Sequence, residues 1–312
     1  MTKRLIAIGE CMLELQPKDE ALLSVAYAGD TYNAVVYGKR LLPELDCCFF
    51  SAVGQDQLSD AMLARWHSEG ISERLVQRKH DKTIGIYAIS TDEDGERSFS
   101  YWRKDSAATQ MLSSFTSEQL ANHLDEADTL FFSGISLGIL SDADKELLLD
   151  ALAILDKRGK CIAFDPNYRP AMWRDVAHTQ DFIEKAYKVA SIALPGVDEH
   201  TLIFGHQTKQ AVVDYCAALG CNEIVVKDGD NGTWVSSANG EVHVPFNPAP
   251  VQVDTTAAGD SFAGTYLAAR TGNQTIEQAL SQACFVAREV VQVKGAIMPA
   301  QEYQSRVSAN IE

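Results

Sequence analysis

The chain has no membrane-length apolar run, no long basic run and no C-x-x-C pair. Each absence narrows the field. A membrane helix needs about 20 mostly apolar residues, so neither a transmembrane segment nor a membrane partner is expected. The N-terminal run MTKRLIAIGECMLEL is only briefly apolar before Glu10 and Glu14, which suits a buried strand and not a secretory signal. No Lys/Arg run exceeds two residues, and 43 acidic residues against 27 basic ones give a formal charge of −16. Such a surface repels phosphate backbones, so nucleic acid is not an expected partner. A small anionic substrate stays open, because it needs only a local pocket of Arg, Lys and backbone N–H groups. The cysteines number seven and are scattered at 11, 47, 48, 161, 216, 221 and 284. That pattern favours reduced core thiols in a cytoplasmic protein over a disulfide framework or a zinc site. The histidines have no metal-ligand spacing. The G-x-x-x-x-G-K-[ST] phosphate loop and the protein-kinase signatures are missing too.

What is present is an ordinary globular composition, 46% apolar and 22% charged, which excludes a disordered chain. Its 312 residues could make two average domains or one large α/β domain. Nearly continuous apolar runs predict buried parallel strands at Leu5–Ile8, Cys48–Val53, Thr129–Ser133, Cys161–Asp165, Ile192–Pro195 and Glu223–Lys227. Helical patterns fall between them, at Thr31–Leu42, Asp60–Glu69, Ser117–Leu124, Ala143–Arg158, Thr179–Val189 and Lys209–Leu219. This alternation predicts a three-layer α/β/α fold with ligands at the carboxyl ends of the strands.

Two segments break the alternation. Thr83–Arg103 alternates apolar and polar residues on both sides of Asp94-Gly95, a hairpin signal. Residues 11–30 form a second extended region. Together, 11–30 and 83–106 predict a small antiparallel sheet that could cover a site or join two copies of the chain. A further hairpin is expected from Trp234–Ser237 and Val242–Pro245, across Ala238–Glu241.

The string Asp254-Thr-Thr-Ala257-Ala258-Gly259-Asp260-Ser261 turns extended chain into a helix through small residues. Small side chains let an anion approach the free N–H groups of the first turn, where the helix dipole adds about half a positive charge. A carboxylate at that turn suits phosphoryl transfer to a hydroxyl: the amides steady the phosphoryl group and Asp260 accepts the proton. A lone Gly-Asp at a helix start is more often a cap. The whole string resembles the D-T-x-G-A-G-D signature of the PfkB (ribokinase-like) carbohydrate kinases, with Ala257 where Gly is usual. The resemblance runs through GECMLEL at 9–15, GDTYNAVVYGKRL at 29–41, SGISLGILS at 133–141 and FDPNYRPAMW at 164–173. Within the family the chain resembles the bacterial 2-keto-3-deoxygluconate kinases.

That resemblance implies one ribokinase-like domain over 1–312, a mostly parallel central sheet and a small β lid. It implies sugar contacts from Gly29, Asp30 and Asn33, and lid contacts from Tyr87, Tyr101 and Arg103. Arg169 follows a buried strand. Two arginines reaching one pocket would suit a carboxylate-bearing sugar acid better than a neutral sugar. An ion pair between Arg169 and Asp165 is the competing expectation. For ATP, the resemblance implies Lys227, Gly229 and Gly232 in a loop, Ala257 and Gly259 at the anion hole, and Ala283, Ala287 and Gly295-Ala296 beside the base. Mg²⁺ is implied, with Glu199 near it through water, although Gly196 replaces the family's usual Asn. A monovalent cation beside the anion hole occurs in parts of the family. The alternatives are another kinase of the family, such as a fructokinase, and a sugar-acid sensor that no longer transfers phosphate.

Overall fold

The apolar strand runs bury side chains on both faces. In Arg4–Ile8 (β1), Ile6 and Ile8 enter one core while Leu5 and Ala7 enter the other. The computed structural model describes residues 2–19, 21–91 and 97–311. The Asp94-Gly95 turn expected above lies outside them. The next strands are Met12–Pro17 (β2), Leu23–Ala28 (β3), Asp46–Phe50 (β4), Ala52–Val53 (β5), Gln77–Arg78 (β6), Gly85–Thr91 (β7) and Arg97–Trp102 (β8). Then follow Thr129–Ser133 (β9), Cys161–Asp165 (β10), Ile192–Ala193 (β11), Glu223–Lys227 (β12), Thr233–Ser237 (β13) and Gly240–Val244 (β14). The main sheet has the order β14-β13-β12-β11-β10-β9-β1-β4. It is parallel from β12 to β4, with β13 and β14 antiparallel at one edge.

Helices cover both faces, as expected. On one side Leu120, Leu148, Phe182 and Val212 of four helices pack on Ile6, Phe132 and Phe164. On the other, Tyr32, Trp66, Tyr266 and Leu280 pack on Leu5, Phe49 and Val225. Burying each such side chain contributes about 1.5–3 kcal/mol before chain entropy is charged against it.

Three strand expectations differ in detail. The run Cys48–Val53 splits: β4 belongs to the main sheet, whereas β5 pairs with β6. The division falls at Ser51, whose carbonyl accepts the Gln77 amide at 2.9 Å. The third strand of the central group is shortened to Ile192–Ala193, because Pro195 has no N–H to offer a ladder. The last hairpin turns through Ala238-Asn239 alone, with Ser237 opposite Gly240 and Gly240 at φ 112°.

The small sheet has the order β3-β2-β7-β8. Each hairpin is antiparallel, but β2 and β7 pair in parallel, because both leave the main body in the same direction. One face carries Met12, Ala28, Tyr87 and Ile89, which cluster with Ala257 and Ala296 of the main body. On the other, Leu23, Val25 and Trp102 are exposed.

Candidate active site

Two helices without side-chain caps meet at the carboxyl edge of the main sheet. Asp56, Thr116, Ser141, Asp175, Thr208 and Thr275 cap other helices with their own side chains. The Asp30–Leu41 helix starts at Gly29 and the Ala258–Thr271 helix at Ala257, neither with a side-chain cap. In the second, the Ser261 amide makes the first i→i−4 bond, to the Ala257 carbonyl at 2.9 Å. Gly259 and Asp260 therefore present N–H groups that the helix cannot satisfy. A Cβ on Gly259 would meet nothing within 4 Å, so this turn is open. Ala257 is buried and turns its methyl into the lid contact.

The two helices cross at backbone contact. A Cβ on Gly264 would fall 1.8 Å from the Ala34 carbonyl oxygen, so only glycine allows the approach. This brings the Asn33 amide to Asp260, where Nδ2 donates to Oδ2 at 2.8 Å. Asn33 Oδ1 accepts from the Gly29 amide at 3.3 Å. Gly29 is needed sterically, since a Cβ there would lie 2.0 Å from the Glu10 carbonyl oxygen. Asp260 does not cap its helix; its carboxylate is a partner of Asn33. Burial and the Asp30 charge push its pKa up to about 8, against Asn33 and Arg169, which lower it.

Asp30 is not a cap either. Its Oδ2 accepts from Asn167 Nδ2 at 2.9 Å. Asn167 holds a left-handed backbone, φ 35°, and its amide donates to Asp165 Oδ1 at 3.1 Å. Lys227 Nζ takes the other oxygen of Asp165 at 2.8 Å. This corrects the pairing expected for Arg169. Asp165 is the partner of Lys227, and Arg169 is exposed with no ion pair among the described residues. Its Nη1 donates only to the Tyr168 carbonyl, at 3.0 Å. Burial opposes the Lys227 charge, yet Asp165 and Glu199 raise its pKa. Glu199 accepts the amides of Tyr168 at 2.8 Å and Gly196 at 3.0 Å. Burial raises its pKa while Lys227 lowers it.

On the lid, Tyr87 is buried and its hydroxyl donates to Glu14. Its ring stacks on Tyr101 at 5.9 Å, but Tyr101 is 54% exposed and, among the described residues, its ring contacts are with Tyr87 and Phe99 of the lid. Arg103 joins the main body through Glu10, with Nε 2.7 Å from Oε2. Arg103 and Arg169 do not touch. Arg103 opposes the rise that burial gives the Glu10 pKa, and Arg169 opposes the rise at Asp260.

Of the expected nucleotide residues, Gly229 and Gly232 bracket a 3₁₀ turn after β12, at φ 52° and 86°. Ala287 is partly buried on the Ile276–Val290 helix. Ala283 is wholly buried in the core and cannot reach a base. Asp254 ties the anion-hole loop to the segment before Ala296, accepting the Gly295 amide at 2.9 Å. Sequence reasoning missed Glu10, Asn167 and the Asp165–Lys227 pair. Their strand-end positions were the available signal. Two surface depressions lie elsewhere: one on the Gln57–Ser68 helix, the other beside Thr129, Cys161 and Ile192 at the amino ends of the strands. Among the described residues, no three His, Cys, Asp or Glu side chains are grouped to hold a metal. No helix there is long and apolar enough to cross a membrane.

The arrangement offers a carboxylate beside open helix amides, with cations at its margin. Comparison with known proteins gives the family. The family model described as pfkB family carbohydrate kinase matches residues 2–302. The 2-dehydro-3-deoxygluconokinase of Escherichia coli strain K12 is 38% identical over 304 residues, covering 96% of this chain and 98% of that one. Its namesake from Dickeya dadantii is 36% identical, covering 96% and 97%. A solved structure of a putative ribokinase II from E. coli, in complex with ATP and Mg²⁺, superposes with a TM-score of 0.83 at 23% identity. It covers 99% of this chain and 100% of that one. The chain belongs to the pfkB family of carbohydrate kinases.

Proposed function

We propose that the chain, as a single domain, phosphorylates 2-dehydro-3-deoxy-D-gluconate from ATP at its terminal hydroxyl, giving the 6-phosphate. The relatives that are 35–38% identical and bear the name of this activity support the substrate. The observation that carries the chemistry is the Asp260 carboxylate, held by Asn33 at the open first turn of an uncapped helix.

In this reading Asp260 removes the proton from the attacking hydroxyl as its oxygen bonds the γ-phosphorus and the bond to ADP breaks. The amides of Ala257, Ala258 and Gly259 hold the charge on the transferring group, Ala258 by giving up its 3.2 Å bond to the Thr255 carbonyl. Gly29, Asp30 and Asn33 orient the polyol, because carboxylate and amide together accept and donate. Arg103 and Arg169 take the substrate carboxylate, and Tyr87 and Tyr101 wall it on the lid side. Lys227, Gly229, Gly232 and Ala287 border the nucleotide. Mg²⁺ would neutralise phosphate charge. With Glu199 already accepting two amides, the residues suit an ion held mainly by phosphates and waters, with Glu199 and Asp165 behind them. A closed lid would exclude water. A second copy of the chain could pack on the exposed lid face of Leu23, Val25 and Trp102, which light scattering would test.

One observation favours a neutral sugar instead: Glu10 already neutralises Arg103. The test of the base is Asp260→Asn with Mg-ATP. Turnover should fall about 100- to 10,000-fold while calorimetry still detects sugar-acid binding. Undiminished turnover would remove Asp260 from the role.

A further inference from the structure

Glu10 is a buried acid that the reaction above leaves without a task. It is 2% exposed and follows β1. Burying a carboxylate is costly unless it is paired and hydrogen-bonded. Here it is both. Arg103 donates to Oε2 through Nε at 2.7 Å and Nη2 at 2.5 Å, and the Ser106 hydroxyl donates to Oε1. The space is shaped for it, since a Cβ on Gly85 would stand 2.5 Å from Oε1. The contact joins the end of a lid strand to the end of a main-sheet strand, 93 residues apart in sequence.

A guanidinium carries five N–H donors in a fixed fork. Glu10 takes one edge and leaves Nη1 without a partner among the described residues. An arginine at a lid margin would otherwise sample many rotamers, and ordering it would weaken binding. We propose that Glu10 is a positioning residue for the substrate: it fixes Arg103 so that the remaining N–H edge meets the carboxylate of a sugar acid. This rests on the sugar-acid kinase reading. Glu10 is then part of acid recognition without touching the acid.

The test compares wild type, Glu10→Ala and Glu10→Gln in steady-state assays with 2-dehydro-3-deoxygluconate, fructose and Mg-ATP. Glu10→Ala should raise KM for the acid about tenfold or more and leave KM for ATP in place. Glu10→Gln keeps an acceptor for Arg103 and should recover part of the loss. An unchanged or lower KM for the acid in Glu10→Ala would overturn the proposal, because Glu10 would then only offset charge. An equal rise in both KM values would also overturn it, as general damage. Should Glu10→Ala not fold, Ser106→Ala frees the other oxygen of Glu10. It should raise KM for the acid alone by about two- to threefold, and no rise would count against the proposal. Wild type that ignores the acid would sink the sugar-acid reading itself, a separate result.

Discussion

Asn33 and Asp260 lie 227 residues apart in the chain, yet the amide of one donates to the carboxylate of the other at 2.8 Å. The bond leaves Asp260 an acceptor oriented by a neutral donor, with charges of both signs acting on it. Asp30 makes ionisation harder and Arg169 makes it easier. In the proposed reaction the carboxylate must be ionised to take a proton, so these neighbours would set the pH at which the site works.

The pH profile of kcat/KM should rise with pH and level off with a midpoint near 8 in the free enzyme. Asp30→Asn removes a repelling charge and should move the midpoint down. Arg169→Ala and Asn33→Ala remove stabilising partners and should move it up. Initial rates between pH 5.5 and 9.5 check all three directions.

Stability should respond to the same residue with opposite benefit. Asp260 has a folded pKa above its unfolded value of about 3.8, so the native state binds the extra proton and loses stability as pH rises from 4 to 8. Asp260→Asn removes that loss. Its Tm advantage over wild type should be small at pH 4 and grow up to pH 8. A constant difference would show that the carboxyl is not raised.

Asn167 carries a backbone role and a side-chain role that two substitutions separate. Asn167→Gly keeps the left-handed φ of 35° but loses the bond to Asp30. It should lower kcat/KM with little change in Tm. Asn167→Ala should lose the same activity and about 1–2 kcal/mol of stability in addition. Urea denaturation alongside kinetics distinguishes them.

Gly264 sets the approach of the two site helices, with the Ala34 carbonyl where a Cβ would go. Gly264→Ala should cost about 1–3 kcal/mol by overpacking. It should also part Asn33 from Asp260, lowering kcat more than the KM for ATP. Denaturation and steady-state rates together check this.

The order of elements was legible because parallel strands buried on both faces read as unbroken apolar runs. Leu130–Phe132 and Ile162–Phe164 needed no tertiary information. The Asp254–Ser261 string was equally legible, since small residues and a carboxylate at a helix start are local chemistry. Partners were not. Nothing in the sequence tells Asp165 to choose Lys227, 62 residues away, over Arg169, four residues on. The choice follows from β10 and β12 ending at one edge of the sheet on either side of β11. Glu10 was hidden for the same reason: its partner Arg103 arrives on a different sheet. The parallel junction of the lid hairpins was missed because alternation fixes which face a side chain takes, not which strand lies alongside.

The central claim is that Asp260 and the two arginines make this pfkB family chain a kinase of a keto-deoxy sugar acid. ADP release with Mg-ATP and separate 2-dehydro-3-deoxygluconate, gluconate, fructose, ribose and adenosine tests it most directly. The account predicts strong turnover with the keto-deoxy acid alone, lost in Asp260→Asn. Faster turnover with fructose or another neutral acceptor, or binding of the acid with no ADP formed, would contradict it.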